Sequence, residues 1–385
     1  MMQTLDRPEV RAAESALGLL DTPCLLLDAE KLERNCRAMR VRTLGHGVTL
    51  RPHVKTAKCV EVAREALGSD KGPITVSTLR EAEYFFDHGF DDILYAVGVV
   101  AAKVSRLAAL VNRGANVTVI VDSVEAARAL VAASLQAAVK IPALIEIDSD
   151  GHRAGVAPGD PRLVDIARAL GSAMRGVMTH AGESYNQTSV AAIRAMALRE
   201  REGVIHAAEA LRIAGIACPV LSLGSTPTAT FADTFEGVTE VRVGVYVFQD
   251  LVMAGLGVCH VEDIALSVLA SVIGHQTAKN QLIVDAGWMA MSRDRGTAKQ
   301  SVDQGYGLVC DEEGRALDLI VAESNQEHGI VARRDEGPID FARHPIGSRL
   351  RVLPNHACAT AAQFGEYQLL RSGRPSETWE RFGGW

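Results

Sequence analysis

One rhythm constrains the chain more than any other feature. Between about residue 48 and residue 247, short apolar, β-branched runs alternate with longer segments rich in Ala, Leu, Glu and Arg. The strand-like runs are Val48–Arg51, Ile74–Ser77, Ile93–Val97, Val117–Val121, Ala143–Ile147, Gly176–Thr179, Val220–Leu223 and Glu240–Val243, eight in all. Their continuous apolar character suits strands buried on both faces. The segments between them read as amphipathic helices. Asp122-Ser123 opens one, with Glu125 in its first turn, and Leu163–Leu170 and Ala191–Leu211 are others. Eight unbroken βα units predict a closed (β/α)8 barrel, with an open doubly wound sheet as the alternative.

After about residue 250 the rhythm changes. Ala265–Ile273, Gln281–Val284, Gly307–Val309 and Arg349–Leu353 are strand-like, and turn-rich pieces such as Asp311-Glu312-Glu313-Gly314 separate them. This pattern predicts a mainly β domain, with Cys24–Leu27 as a candidate to pair with it. The expected division is a barrel over 25–255 and a second domain from 1–24 and 256–385.

The formal net charge of the 385 residues is -7. Nucleic-acid-binding surfaces are normally basic, so that class is disfavoured. Residues 1–20 carry Asp6, Glu9 and Glu14 and lack the apolar centre of a secretory signal. No apolar run approaches the roughly 20 residues of a membrane helix. The cysteines at 24, 36, 59, 218, 259, 310 and 358 follow no framework spacing, and no CxxC pair exists. Dispersed thiols point to a reduced, cytoplasmic protein rather than a disulfide scaffold or a structural zinc cluster.

In a barrel of this kind, chemistry belongs at the C-terminal ends of the strands. The first is followed by Arg51-Pro52-His53-Val54-Lys55-Thr56. Lys55 would stand at the barrel mouth. A desolvated amine there, its pKa lowered by burial and nearby cations, suits a Schiff base with an aldehyde cofactor; the bland alternative is a solvated loop lysine. The fifth and sixth strands bring Arg153, His180 and Tyr185 to the same rim. The seventh is followed by Gly224-Ser225-Thr226-Pro227-Thr228, and the eighth leads into Gly244-Val245-Tyr246. Small residues and hydroxyls let backbone N–H groups reach an anion, and barrels commonly bind phosphate near strands seven and eight. The last feature is Pro354-Asn355-His356-Ala357-Cys358. If the strand before it continues, His356 and Cys358 face one side. Imidazole with thiolate suits a borderline-soft divalent ion. By spacing alone, however, such a pair is a weak signal.

Taken together, these motifs resemble the D-threonine aldolase and D-serine dehydratase family of alanine racemase-like enzymes. The resemblance runs from Asp21-Thr22-Pro23 to the C-terminal Trp-Glu-Arg-Phe-Gly-Gly-Trp. It rests most on Arg-Pro-His-Val-Lys-Thr at 51–56, Gly-Ser-Thr-Pro-Thr at 224–228 and Pro-Asn-His-Ala-Cys at 354–358. It implies a fold-type III pyridoxal 5'-phosphate enzyme, paired as a homodimer, with Lys55 as the Schiff-base lysine. It places the cofactor phosphate at Gly224, Ser225, Thr226, Gly244 and Tyr246, and it surrounds the ring with Arg153, His180 and Tyr185. His356 and Cys358 would hold one divalent metal, with zinc favoured and manganese or magnesium the alternatives.

The implied reaction is β-elimination of water from a small D-β-hydroxy amino acid, either D-threo-3-hydroxyaspartate or D-serine. Retro-aldol cleavage to glycine and an aldehyde is the main rival, since the same lysine, cofactor and metal would serve it; the discriminating feature is Cys358, where the aldolase branch more often carries Asp. A non-catalytic pyridoxal-phosphate-binding protein and a racemase are further alternatives. Arg293 and Arg295 are candidates for a substrate β-carboxylate, Arg242 for the cofactor site, and His328 for the surroundings of the metal.

Overall fold

A computed structural model describes residues 17–385. Eight parallel strands follow one another around a ring: Thr49–Leu50, Ile74–Val76, Asp92–Gly98, Asn116–Val121, Ala143–Ile147, Met174–Thr179, Val220–Leu223 and Glu240–Val241. The first pairs with the eighth, Thr49 opposite Glu240. Closure against the second strand lies just past the first strand's end. There His53 forms a parallel bridge to Thr75, Thr75 N–H donates to Pro52 O at 2.8 Å, and Val54 N–H donates to Thr75 O at 2.9 Å. All eight expected strands are present. Burial on both faces is clearest in Ala143–Ile147, where every residue is buried.

The helices begin where short polar side chains can cap them. Ser123 accepts from Ala126 N–H at 3.2 Å and opens Val124–Gln136. Ser189 does the same for the long helix Val190–Ile213. No helix among the described residues is long and apolar enough to cross a membrane.

The second domain is a nine-stranded sheet. Cys24–Asp28 pairs antiparallel with Leu266–Gln276 and parallel with Glu366–Arg371, as the sequence suggested for Cys24–Leu27. The expected boundary at residue 25 thus falls inside this strand. The chain joins the barrel after Asp28, whose carboxylate caps the helix Ala29–Gly45. Of the segment 1–24 assigned to the second domain, residues 1–16 lie outside the described residues, as do Asp6, Glu9 and Glu14. Four strands of this sheet lack a clear sequence signal: Ala316–Ser324, Gly329–Arg333, Glu366–Arg371 and Arg374–Glu380. The last lies at the sheet edge, mostly exposed and rich in charge, which is how edge strands avoid pairing with other chains. One continuous core joins the domains, with Leu27, Val60, Tyr246, Val268 and Tyr367 in a single packed cluster.

Candidate active site

The C-terminal ends of the barrel strands and two pieces of the second domain enclose a cavity of about 740 Å³. Lys55 lines it from a tight turn after the first strand, in which Lys58 N–H donates to Val54 O at 2.8 Å. Lys58 itself takes φ 47°, the left-handed region. The expectation of a desolvated Lys55 is corrected here, because the residue is exposed to the cavity. Pairing continues past Pro52 through His53 N–H to Val243 O and Val54 N–H to Thr75 O, and the turn follows.

Two neutral histidines flank the lysine. His53 is held well below the usual imidazole range by burial and then by the charges of Lys55 and Arg242. His180 is pushed down to about 3, first by burial and then by Lys55, Arg242 and Arg153, with a hydrogen bond to Gly224 opposing. Its Nδ1 lies 2.8 Å from Gly224 O, so Nδ1 carries the proton and Nε2 keeps a lone pair. Tyr185 stands beside it, ring centroids 6.2 Å apart, its hydroxyl faced by the Thr226 amide; burial pushes that phenol up. Arg153 is more exposed and lies 3.8 Å from Glu146.

Arg242 lines the cavity although it is 5% exposed. It donates to Ser222 Oγ and Thr179 O. Ser222 donates in turn to Glu240 at 2.6 Å, and Arg51 bridges Glu240 and Asp92. A polar ladder therefore runs through the barrel and fixes Arg242 from below. This satisfies a guanidinium that would otherwise be costly to bury.

Glu200, on the long helix Val190–Ile213, was not legible as a site residue. Its buried carboxylate accepts from Ala181 N–H at 2.9 Å, Gly224 N–H at 3.1 Å and Thr228 Oγ1–H at 2.6 Å. One side chain thus ties the loops after the sixth and seventh strands together. The only sequence signal is a charged residue on the inward face of an amphipathic helix.

The expected phosphate cradle has the required shape. Gly224 takes φ +137°, and a Cβ there would lie 2.3 Å from Arg242 O, so only glycine fits. A Cβ on Gly244 would lie 2.9 Å from Thr56 Oγ1. Ser225 and Thr228 form a reciprocal cap on the helix Thr226–Phe231. The Oγ1 of Thr226 is buried without a partner. Among the described residues, the N–H groups of Gly244, Val245 and Tyr246 have no protein acceptor. Orphaned donors around two obligatory glycines fit a bound phosphate. Thr226 and Tyr246 do not themselves line the cavity. The Tyr246 ring is fully buried, and its hydroxyl lies toward Cys36 and Arg40 on the outer side, so what it offers the cradle is its backbone N–H.

His356 and Cys358 reach the cavity from the second domain. The sequence argument for their pairing is corrected: the strand Arg349–Pro354 does not continue, and His356 is the residue before the helix Ala357–Ala361. A helix start, not strand alternation, brings the two together. His356 Nδ1 lies 2.8 Å from Asp294 Oδ2. Asp250 accepts from Ala357 N–H at 3.0 Å and from Met253 N–H at 2.9 Å, fixing that helix start. Burial opposes charge on both groups, yet Cys358 and Asp294 raise His356 to about 11. His356, Thr56 and Lys55 in turn outweigh burial and hold the Cys358 thiol below its usual value. A thiolate beside an imidazole whose other nitrogen is held by a carboxylate is a donor set that fits a zinc-like ion. Among the described residues, no group of three or more His, Cys, Asp and Glu side chains is placed to hold a metal.

Three expected residues stand elsewhere and do not line the cavity. Arg293 stacks on Trp288 at 4.0 Å, Arg295 pairs with Asp303 at 2.7 Å, and His328 is exposed.

Residues 27–251 match the family described as "Alanine racemase, N-terminal domain", and residues 265–370 match "Putative serine dehydratase domain". The chain belongs to the alanine racemase-like D-serine dehydratase family. It is 52% identical to D-threo-3-hydroxyaspartate dehydratase of Delftia sp. (strain HT23), over 97% of this chain and 100% of that one. It is 31% identical to 3-hydroxy-D-aspartate aldolase of Paracoccus denitrificans (strain Pd 1222), over 94% and 91%. Among solved structures, a cysteine-to-alanine mutant of D-threo-3-hydroxyaspartate dehydratase in the metal-free form matches with a TM-score of 0.94. That match has 52% identity and covers 96% of this chain and 99% of that one. The family carries the barrel and β domain described above.

Proposed function

We propose that this protein is a pyridoxal-phosphate- and metal-dependent dehydratase. It converts D-threo-3-hydroxyaspartate to oxaloacetate and ammonia, and D-serine to pyruvate and ammonia. Lys55 holds the cofactor; His356 and Cys358 hold a divalent ion, zinc by preference. The observation that carries this reading is the convergence of Lys55 and the His356–Cys358 pair on one cavity, from two domains.

When bound, the cofactor supplies an electron sink for negative charge at Cα, and the metal supplies a Lewis acid for the β-oxygen. The chain's own groups do the rest. Gly224, Ser225, Thr226 and the backbone of Gly244 and Tyr246 anchor the phosphate. Arg153, His180 and Tyr185 surround the ring, with His180 offering an uncharged Nε2. Lys55 Nζ removes the α-proton. Asp294 orients the His356 ring, and Thr56 supports the Cys358 sulfur. The β-oxygen takes up one proton, balancing the one Lys55 removes, and would leave as water; the enamine left behind takes up one water and gives the 2-oxo acid and ammonia.

Retro-aldol cleavage remains the second reading, because an aldolase relative matches over nearly the full chain. A non-catalytic cofactor carrier would have no use for a thiolate–imidazole pair inside the cofactor cavity. The seven unpaired cysteines support a cytoplasmic location. A homodimer is the assembly that the family resemblance implies. Zinc returned to metal-stripped protein tests the central proposal: it restores 2-oxo acid formation, and full activity without any added ion contradicts it.

A further inference from the structure

Three consecutive residues after Lys55 are each held by the second domain. Thr56 Oγ1 lies 3.3 Å from Cys358 Sγ. Ala57 O accepts from the buried Tyr367 hydroxyl at 2.6 Å. Lys58 O accepts from Phe382 N–H at 3.1 Å. The turn is closed by its own Lys58 N–H to Val54 O hydrogen bond and passes through a left-handed residue at Lys58, a costly conformation that these outside contacts help to hold.

The chain end completes the grip. Phe382 stacks on Tyr84 with centroids 4.2 Å apart and meets Phe85 edge-on at 5.9 Å. Lys58 Nζ sits 5.4 Å from the Phe382 ring, 5.7 Å from the Trp385 ring and 3.4 Å from Glu81. Glu81 is buried and accepts from Ser77 N–H at 2.6 Å, and Ser77 lines the cavity. The last residues of the chain are therefore connected through Lys58 and Glu81 to Ser77 in the cavity wall.

From this geometry we infer that Tyr367 and the C-terminal segment 382–385 are positioning elements for Lys55, holding its turn so that Nζ meets the cofactor aldehyde. The inference rests on Lys55 being the cofactor lysine. Capture joins the amine nitrogen to the aldehyde carbon and expels one water. It depends on where Nζ stands, whereas phosphate binding at Gly224–Thr226 does not. Misplacing a reacting group by about 1 Å can slow a step by roughly 100-fold.

The experiment uses two variants of the full enzyme, Tyr367→Phe and a chain ending at Arg381, with Lys55→Ala as control. After cofactor removal, each is mixed with pyridoxal phosphate, and the growth of the lysine-bound absorption band is followed. Each is separately titrated with pyridoxamine phosphate, which carries the phosphate but no aldehyde. The inference predicts capture slowed by about tenfold or more, with pyridoxamine phosphate affinity within about twofold of wild type. Wild-type capture rates in both variants would overturn it. So would equal losses with both ligands, which would mark these residues as general supports. A Lys55→Ala protein that still forms the band would instead overturn the assignment of Lys55 itself.

Discussion

The sulfur of Cys358 lies 3.3 Å from the Thr56 hydroxyl, linking the second domain's short helix to the turn that carries Lys55. The candidate metal ligand and the candidate cofactor lysine are therefore parts of one constellation. Substitutions in it should separate cleanly by what they remove.

Removing the lysine should remove the cofactor's covalent tether. Lys55→Ala is expected to lose the visible absorption band and to drop kcat by at least about 1000-fold. Because Lys55 is exposed to the cavity, its unfolding midpoint in urea should be nearly unchanged. Absorption spectra and urea melts check both halves.

Removing the thiolate should do the reverse. Cys358→Ala is expected to lose bound metal and elimination activity while keeping the absorption band. Asp294→Asn weakens only the carboxylate that orients His356, and a change of that kind lowers metal affinity by roughly 10- to 100-fold. Metal content by elemental analysis, alongside spectra, distinguishes these outcomes.

Glu200 gathers three donors from two loops. Glu200→Ala leaves buried N–H groups of Ala181 and Gly224 without an acceptor, at about 1–3 kcal/mol for each. The variant should melt at lower urea and bind pyridoxal phosphate more weakly, because Gly224 is part of the cradle. Unchanged cofactor affinity in a folded Glu200→Ala protein would count against this linkage.

Acid should weaken the fold through the buried histidines. His180 has a pKa of about 3 in the folded protein, against roughly 6.5 when unfolded. The unfolded chain binds more protons between these values, so stability is full above about pH 6.5 and falls as pH drops toward 3. At pH 5.5 the loss from this one group is on the order of 1 kcal/mol. Lys55, Arg153 and Arg242 all face His180 and oppose its protonation, Gly224 O favours it, and neutral His53 and Tyr185 complete its surroundings. Urea melts of the holoenzyme at pH 7.5 and 5.5 should show a smaller difference in His180→Gln than in wild type; equal differences would contradict the assignment.

The barrel was legible because its strands are short apolar runs at regular spacing, and all eight stand where that spacing puts them. The glycines at 224 and 244 were legible because a close backbone approach needs them. Arg374–Glu380 was hidden because an exposed edge strand carries no apolar alternation. The His356–Cys358 pair was found through a strand that in fact ends at Pro354. Arg293 and Arg295 show the limit of reading charge alone: both find partners at the surface, one on Trp288 and one on Asp303. Glu200 and Tyr367 were missed because they act across sequence separations that no local pattern records.

The most direct test is product analysis with D-threo-3-hydroxyaspartate, with and without a chelator, beside D-serine and D-threonine. The account predicts oxaloacetate and ammonia from hydroxyaspartate, lost on chelation and restored by zinc. Glycine and glyoxylate in their place would contradict it and assign the chain to the aldolase reaction.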